Sequence, residues 1–295
     1  MAAVISAKQV KELRDQTGCG MMECKNALVE TDGDMEKAIV ILREKGLATA
    51  AKKASRIAAE GFVGVYNDGN VAAIVEVNCE TDFVAKNPDF QAFANDIAAL
   101  VAKTNPADLE TLNASELKDG QTVEDVRTGL VAVIRENMTV RRFARMEGNV
   151  ATYLHMGGKI GVVANFTAPI DAADGKSVCM QVASMNPTYV SRNDMPQDVV
   201  AHEREIQEGI VANDESLANK PEKVKAGIIE GRVSKSLQDM CLVDQEFFLD
   251  TNLKCKQYLK DNGAEVLKFV KYTVGEGIEK KQDDFAAEVA AMAQK

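Results

Sequence analysis

The sequence holds only two histidines, His155 and His202, in 295 residues. So little imidazole leaves scant material for an acid–base relay, and neither a G-x-S-x-G elbow nor an H-E-x-x-H helix occurs. The six cysteines, Cys19, Cys24, Cys79, Cys179, Cys241 and Cys255, form no Cys-x-x-Cys pair, so the compact ligand spacing of a zinc site is missing and no metal is expected. A G-x-x-x-x-G-K-[ST] loop is absent, and Gly18-Cys19-Gly20 neither follows a strand nor completes G-x-G-x-x-G; no nucleotide or other cofactor is expected on the chain itself. No window of about 18 apolar residues exists. The start, Met1-Ala2-Ala3-Val4-Ile5-Ser6, has no basic region followed by an apolar core. These absences predict a protein that neither spans a membrane nor is exported, with free, buried thiols in a reducing cytoplasm. Positive charge is also short: 35 Lys and Arg against 45 Asp and Glu give a net charge of −10, which disfavours direct nucleic-acid binding.

What is present is globular. Hydrophobic residues make up 46% and charged residues 27%, and at about 150 residues per domain the length suggests two domains. Residues 6 to 46 read as three short helices. Ser6 caps the first, carrying Val10 and Leu13, and Thr17-Gly18-Cys19-Gly20 ends it. Met21, Cys24, Ala27 and Leu28 mark the second; after the Asp32-Gly33-Asp34 turn, Ala38, Ile39 and Leu42 mark the third, with Gly46 as its expected end. Leu47 to Glu60 reads as an Ala-rich linker, helical or extended, whose Lys52, Lys53 and Arg56 form a solvated cationic face.

Beyond Gly61 the apolar period shifts to two. Phe62, Val63 and Val65 precede Asn67-Asp68-Gly69-Asn70, and Val71 to Val77 follow, predicting a hairpin. Helices are expected over about Asp89 to Lys103 and Val123 to Glu136, then a strand at Met138 to Phe143. The first unit thus reads strand, strand, helix, helix, strand, and the same order then recurs: Val150 to Leu154 and Ile160 to Phe166 flank His155-Met156-Gly157-Gly158, Lys176 to Met185 supplies the helix, and Val266 to Val274 closes the set. The expected fold is therefore α+β, with a duplicated core of antiparallel sheets. Inserted in the second copy is a helical hairpin, one arm opening at Pro196 and the other after Lys220-Pro221. One partner helix cannot bury all of its apolar residues, which predicts a homodimer through this hairpin. Asp283 to Lys295 reads as a terminal amphipathic helix with Phe285, Val289 and Met292 on one stripe.

The most unusual segment is Asn78-Cys79-Glu80-Thr81-Asp82-Phe83-Val84-Ala85-Lys86, where a strand gives way to a helix. Read from the residues alone, Thr81 or Asp82 caps a short helix and Phe83 fills the local core. By the same measure Met21 and Met22 are packing residues and His155 a turn histidine.

The motifs Val10-Lys11-Glu12-Leu13-Arg14, Thr17-Gly18-Cys19-Gly20-Met21-Met22-Glu23-Cys24-Lys25, Glu76-Val77-Asn78-Cys79-Glu80-Thr81-Asp82-Phe83-Val84, Val274-Gly275-Glu276-Gly277 and Asp284-Phe285-Ala286-Ala287-Glu288-Val289 together resemble the bacterial elongation factor Ts family, in order, over nearly the whole chain. The resemblance implies a guanine nucleotide exchange factor for elongation factor Tu that makes and breaks no covalent bond and so is not an enzyme in the usual sense. It implies a three-helix module similar to ubiquitin-associated domains over 1–55, a first core subdomain over 56–148, a second over 149–187 and 235–278, the inserted hairpin over 188–234 and a C-terminal module over 279–295. It also implies that Thr81, Asp82, Phe83 and Val84 enter the partner near its magnesium site. Met21, Met22, Lys25, Lys53, His155, Phe285 and Met292 would make further partner contacts. One departure stands out: Arg135 occupies a position where the family commonly has glycine. The rival reading from the residues is a peptide-binding or chaperone-associated adaptor built on the three-helix module, which leaves the duplicated core without a role.

Overall fold

The computed structural model describes residues 5–279; the expected terminal helix, with Phe285 and Met292, lies outside them. Helix α1 (Ala7–Thr17) starts at a reciprocal cap in which Gln9 N donates to Ser6 Oγ and Ser6 N to Gln9 Oε1, and ends at Gly18 in the left-handed region. Helix α2 (Met21–Glu30) follows, its Glu23 carboxylate accepting from Gly20 N at 3.2 Å. Helix α3 (Met35–Lys53) is capped by Asp34. Val10, Leu13, Cys24, Ala27, Leu28, Ala38 and Leu42 from the three close one small core.

Helix α3 does not stop at Gly46, as the sequence suggested, but runs through it to Lys53, so the first half of the expected linker is helix. The glycine serves packing: a Cβ there would stand 3.3 Å from the Ala132 Cβ on a later helix. Glycine read as punctuation was here a point of close approach.

Strands β1 (Glu60–Asn67) and β2 (Val71–Cys79) form the expected hairpin, its turn tied by Asp68 accepting from Asn70 N at 2.9 Å and Val71 N at 2.7 Å. The single turn α4 (Asp82–Ala85) leads to α5 (Pro88–Thr104), which buries Phe90, Phe93, Ile97 and Val101. Three short elements, α6 (Leu109–Ala114), β3 (Glu116–Lys118) and β4 (Gln121–Thr122), were not foreseen; they are too brief to show a period. Helix α7 (Val123–Ile134) packs along α3, and β5 (Met138–Glu147) completes a sheet in the order β1-β2-β5.

The second set comprises β6 (Asn149–His155), β7 (Ile160–Phe166) and α8 (Ala172–Met185). The insertion follows as α9 (Gln197–Ala212) and α10 (Glu222–Met240), packed on each other. Next come a small unforeseen hairpin, β8 (Glu246–Phe247) and β9 (Asp250–Lys254), then α11 (Cys255–Asp261) and β10 (Val266–Thr273). The sheet order is β10-β7-β6, so in both sheets the second strand lies in the middle and the last strand pairs with it. That shared topology is the duplication read in the sequence. Val162, Ala164, Phe166, Val178, Val182, Leu242, Phe247 and Leu259 form the second core.

Among the described residues two compact units result: one gathers residues 5–65, 74–144 and 272–279, and the other holds Tyr66–Ala73 and Arg145–Lys271. All six thiols are buried and none is in a disulfide, as expected. No helix among the described residues is long and apolar enough to cross a membrane. Ile206, Ile210 and Val224 of the inserted hairpin remain exposed.

Candidate functional site

The segment from Glu76 to Lys86 changes character within a few residues. At its strand end Glu76 is fully buried, an expensive place for a carboxylate unless cations and donors meet it. Here they do. Arg141 Nη1 lies 3.0 Å and Arg142 Nε 2.6 Å from its oxygens, Asn78 Nδ2 donates at 3.1 Å, and Gly275 N donates at 2.8 Å. Arg142 continues to the Glu276 carboxylate at 3.1 Å and covers the Tyr272 ring at 4.3 Å. Gly275 fits because it has no side chain: at φ +70° a Cβ would fall 2.1 Å from Ala59 O. Two of the motifs that carried the resemblance thus meet at one carboxylate.

At the other end the chain leaves the core. Thr81 caps α4, its Oγ1 accepting from Val84 N at 3.3 Å, and the turn presses Val84 and Ala85 inward. Phe83 faces the opposite way and is 82% exposed. This overturns the local reading that placed Phe83 in the core: four residues of helix present two faces, and Val84 with Ala85 take the inner one. Asp82 beside it pairs with Lys86 at 2.7 Å, an exposed contact of small energetic weight. Behind the turn the Cys79 thiol donates to Thr81 O at 3.2 Å, and burial pushes its pKa up to about 12, so it stays protonated and unreactive.

The turn is braced from the loop after α7. Glu136 accepts from Glu80 N at 3.1 Å, Thr81 N at 3.0 Å and Thr81 Oγ1 at 2.6 Å, while Glu80 accepts from Asn137 N at 2.6 Å. Asn137 Nδ2 donates to Arg56 O at 2.8 Å. Sequence reasoning missed Glu136 and Glu76; the available signals were the place of Glu76 inside a motif and of Glu136 next to the departure at Arg135. Arg135 ends α7 at φ 69° and ψ 24°, the left-handed conformation for which glycine is suited, and pairs with Glu23 on α2.

The other expected contact residues fall in both units. Met21 and Met22, 51% and 63% exposed, open α2 with exposed Lys25 one turn on, and half-buried Lys53 ends α3; these share the first unit with the Phe83 turn. His155 ends β6 in the second unit, with its Nδ1 3.0 Å from Tyr153 Oη. Among the described residues no group of three His, Cys, Asp or Glu side chains is placed to hold a metal ion.

Phe83 on its braced turn and Met21 and Met22 on α2 are large apolar side chains left in solvent, the kind of group from which docking surfaces are built. The model of the family Elongation factor TS matches residues 80–276, from within the braced loop to the glutamate bound by Arg142, and the chain belongs to the elongation factor Ts family. It is accordingly a factor of translation elongation, of the family whose activity is nucleotide exchange on elongation factor Tu.

Proposed function

We propose that this chain accelerates GDP release from elongation factor Tu by inserting the Asp82–Phe83 turn beside the partner's nucleotide site. The observation that carries this reading is Phe83, 82% exposed on a turn whose backbone is fixed by Thr81 and Glu136. A GTPase holds GDP through phosphate-loop amides and a magnesium ion. Phe83 would fill an apolar slot between partner helices. Asp82, released from its exposed pair with Lys86, would take donors that otherwise support the metal's water network. Thr81 and Val84 hold the turn's shape. Because coupling is reciprocal, a factor that weakens GDP binding is itself bound less tightly when nucleotide returns, and turnover follows.

The remaining assignments belong to the same proposal. Met21, Met22, Lys25 and Lys53 of the three-helix module over 1–55 flank the turn of the 56–148 subdomain on the partner's GTPase domain. His155 contributes from the second subdomain (149–187 and 235–278). Phe285 and Met292 dock from the 279–295 module, and the exposed apolar residues of the 188–234 hairpin form a homodimer. The setting is the bacterial cytoplasm, with no nucleic acid bound directly.

The test uses elongation factor Tu loaded with fluorescent GDP and excess unlabelled nucleotide. Substoichiometric amounts of the chain should accelerate loss of signal, and Phe83→Ala should slow the assisted rate about tenfold or more, as for a truncated aromatic anchor. Wild-type protein with no effect on release overturns the exchange reading. Normal rates for Phe83→Ala remove the turn from the mechanism.

A further inference from the structure

We infer that Glu136 is a positioning residue for the Phe83 turn, fixing where the aromatic is presented to the partner; this rests on the exchange reading above. A helix of four residues cannot sustain itself, since nucleation costs more than one turn of hydrogen bonds returns. Exposed Phe83 contributes no burial to hold α4 in place. Its Thr81 cap, the two inward residues, the Cys79 thiol on Thr81 O at 3.2 Å and the Gln91 amide on Ala85 O at 3.0 Å each hold part of the turn, but the largest set of bonds comes from one carboxylate, which collects two backbone amides and a hydroxyl at 2.6–3.1 Å. Bonds to an ionised acceptor are about twice as strong as neutral ones, and the Asn137 amide returned to Glu80 closes the arrangement from the other side.

Glu136 also has the right neighbours to align two contact surfaces. It follows Arg135, whose guanidinium pairs with Glu23 on the first turn of α2, next to Met21 and Met22. The path Glu23, Arg135, Glu136, Thr81 therefore links the methionine turn to the aromatic turn through four residues. The outer Glu23–Arg135 pair is exposed and weak; the bonds of half-buried Glu136 carry the alignment. A docking group displaced by about 1 Å can lose up to a hundredfold in rate, and a loosened turn must be ordered on binding.

Wild type, Glu136→Gln and Glu136→Ala are compared in assisted release of fluorescent GDP across a range of factor concentrations, together with melting curves and amide hydrogen exchange of residues 80–85. The expected result is a maximum assisted rate lowered about tenfold in Glu136→Ala, with Glu136→Gln intermediate because its amide oxygen still accepts from both backbone amides. Hydrogen exchange of 80–85 should quicken in the same order. A purely structural role would reduce the folded fraction and raise the half-saturating concentration while leaving the maximum rate alone. Maximum rates equal to wild type in both variants overturn the inference, even with faster hydrogen exchange. Should Glu136→Ala not fold, Glu136→Gln decides alone by the same two readouts. The wild-type rate tests the exchange reading; the variant-to-wild-type ratio tests the role of Glu136.

Discussion

Glu76 and Phe83 lie seven residues apart and have opposite fates. The charged one is fully buried and the aromatic one stands in solvent, each against its ordinary preference. For Glu76 the compensation is visible: two guanidiniums and two amide donors replace water around the carboxylate. Removing it would take the buried counter-charge from Arg141 and leave Arg142 with its Glu276 pair. We expect Glu76→Ala to lower the free energy of unfolding by about 3 kcal/mol, the scale for breaking a buried pair from one side. A urea titration reads this directly, and a midpoint equal to wild type contradicts it. Phe83 has no such compensation among the described residues, and in the exchange reading its value lies in what it meets on the partner. Phe83→Ala should therefore leave the same titration within about 0.5 kcal/mol of wild type, as for ordinary surface substitutions. A substitution silent in folding and loud in exchange is the signature of a docking residue.

Between elements, α3 and α7 show how a long helix ties the N-terminal module to the first sheet's helices. The contact is close because Gly46 meets Ala132, and it is flanked by the Arg43–Asp125 ion pair. Valine at position 46 would push two methyl groups into a space already tight for one carbon. Gly46→Val should destabilise by about 1–3 kcal/mol, the usual cost of overpacking, despite a better helix former replacing glycine. A lowered melting temperature by circular dichroism with native helix content at 20 °C is the expected result; an unchanged melt would mean the helices separate freely. The short elements tell the complementary story. Strands of two or three residues such as β3 and β8 are held by pairing to their neighbours and have no period of their own, so only long elements announced themselves.

For the molecule as a whole, burial sets a pH limit. It lifts the thiols of Cys79, Cys179 and Cys255 from the ordinary 9.0 to about 12. The native state therefore keeps protons that the unfolded chain gives up above pH 9; stability is complete below that value and falls as pH rises, by about 1.4 kcal/mol per unit for each thiol. Urea midpoints should drop steadily between about pH 9 and pH 10.5, and Cys179→Ala, where an alanine cavity permits folding, should flatten the slope. A level midpoint over that range would refute the burial account. Much of this protein was legible beforehand: periodicity, caps and turn residues located the long helices, both principal hairpins and the repeated order of strands, because those signals are local. What only the tertiary structure decided was which side chains face out and which distant groups meet. The Phe83 turn is oriented by Glu136, 55 residues away from Thr81, and the Glu76 carboxylate is completed by Gly275, 199 residues on. Hydrogen bonds and ion pairs between remote residues leave no repeat in the chain; they exist only once the core has brought their backbones together.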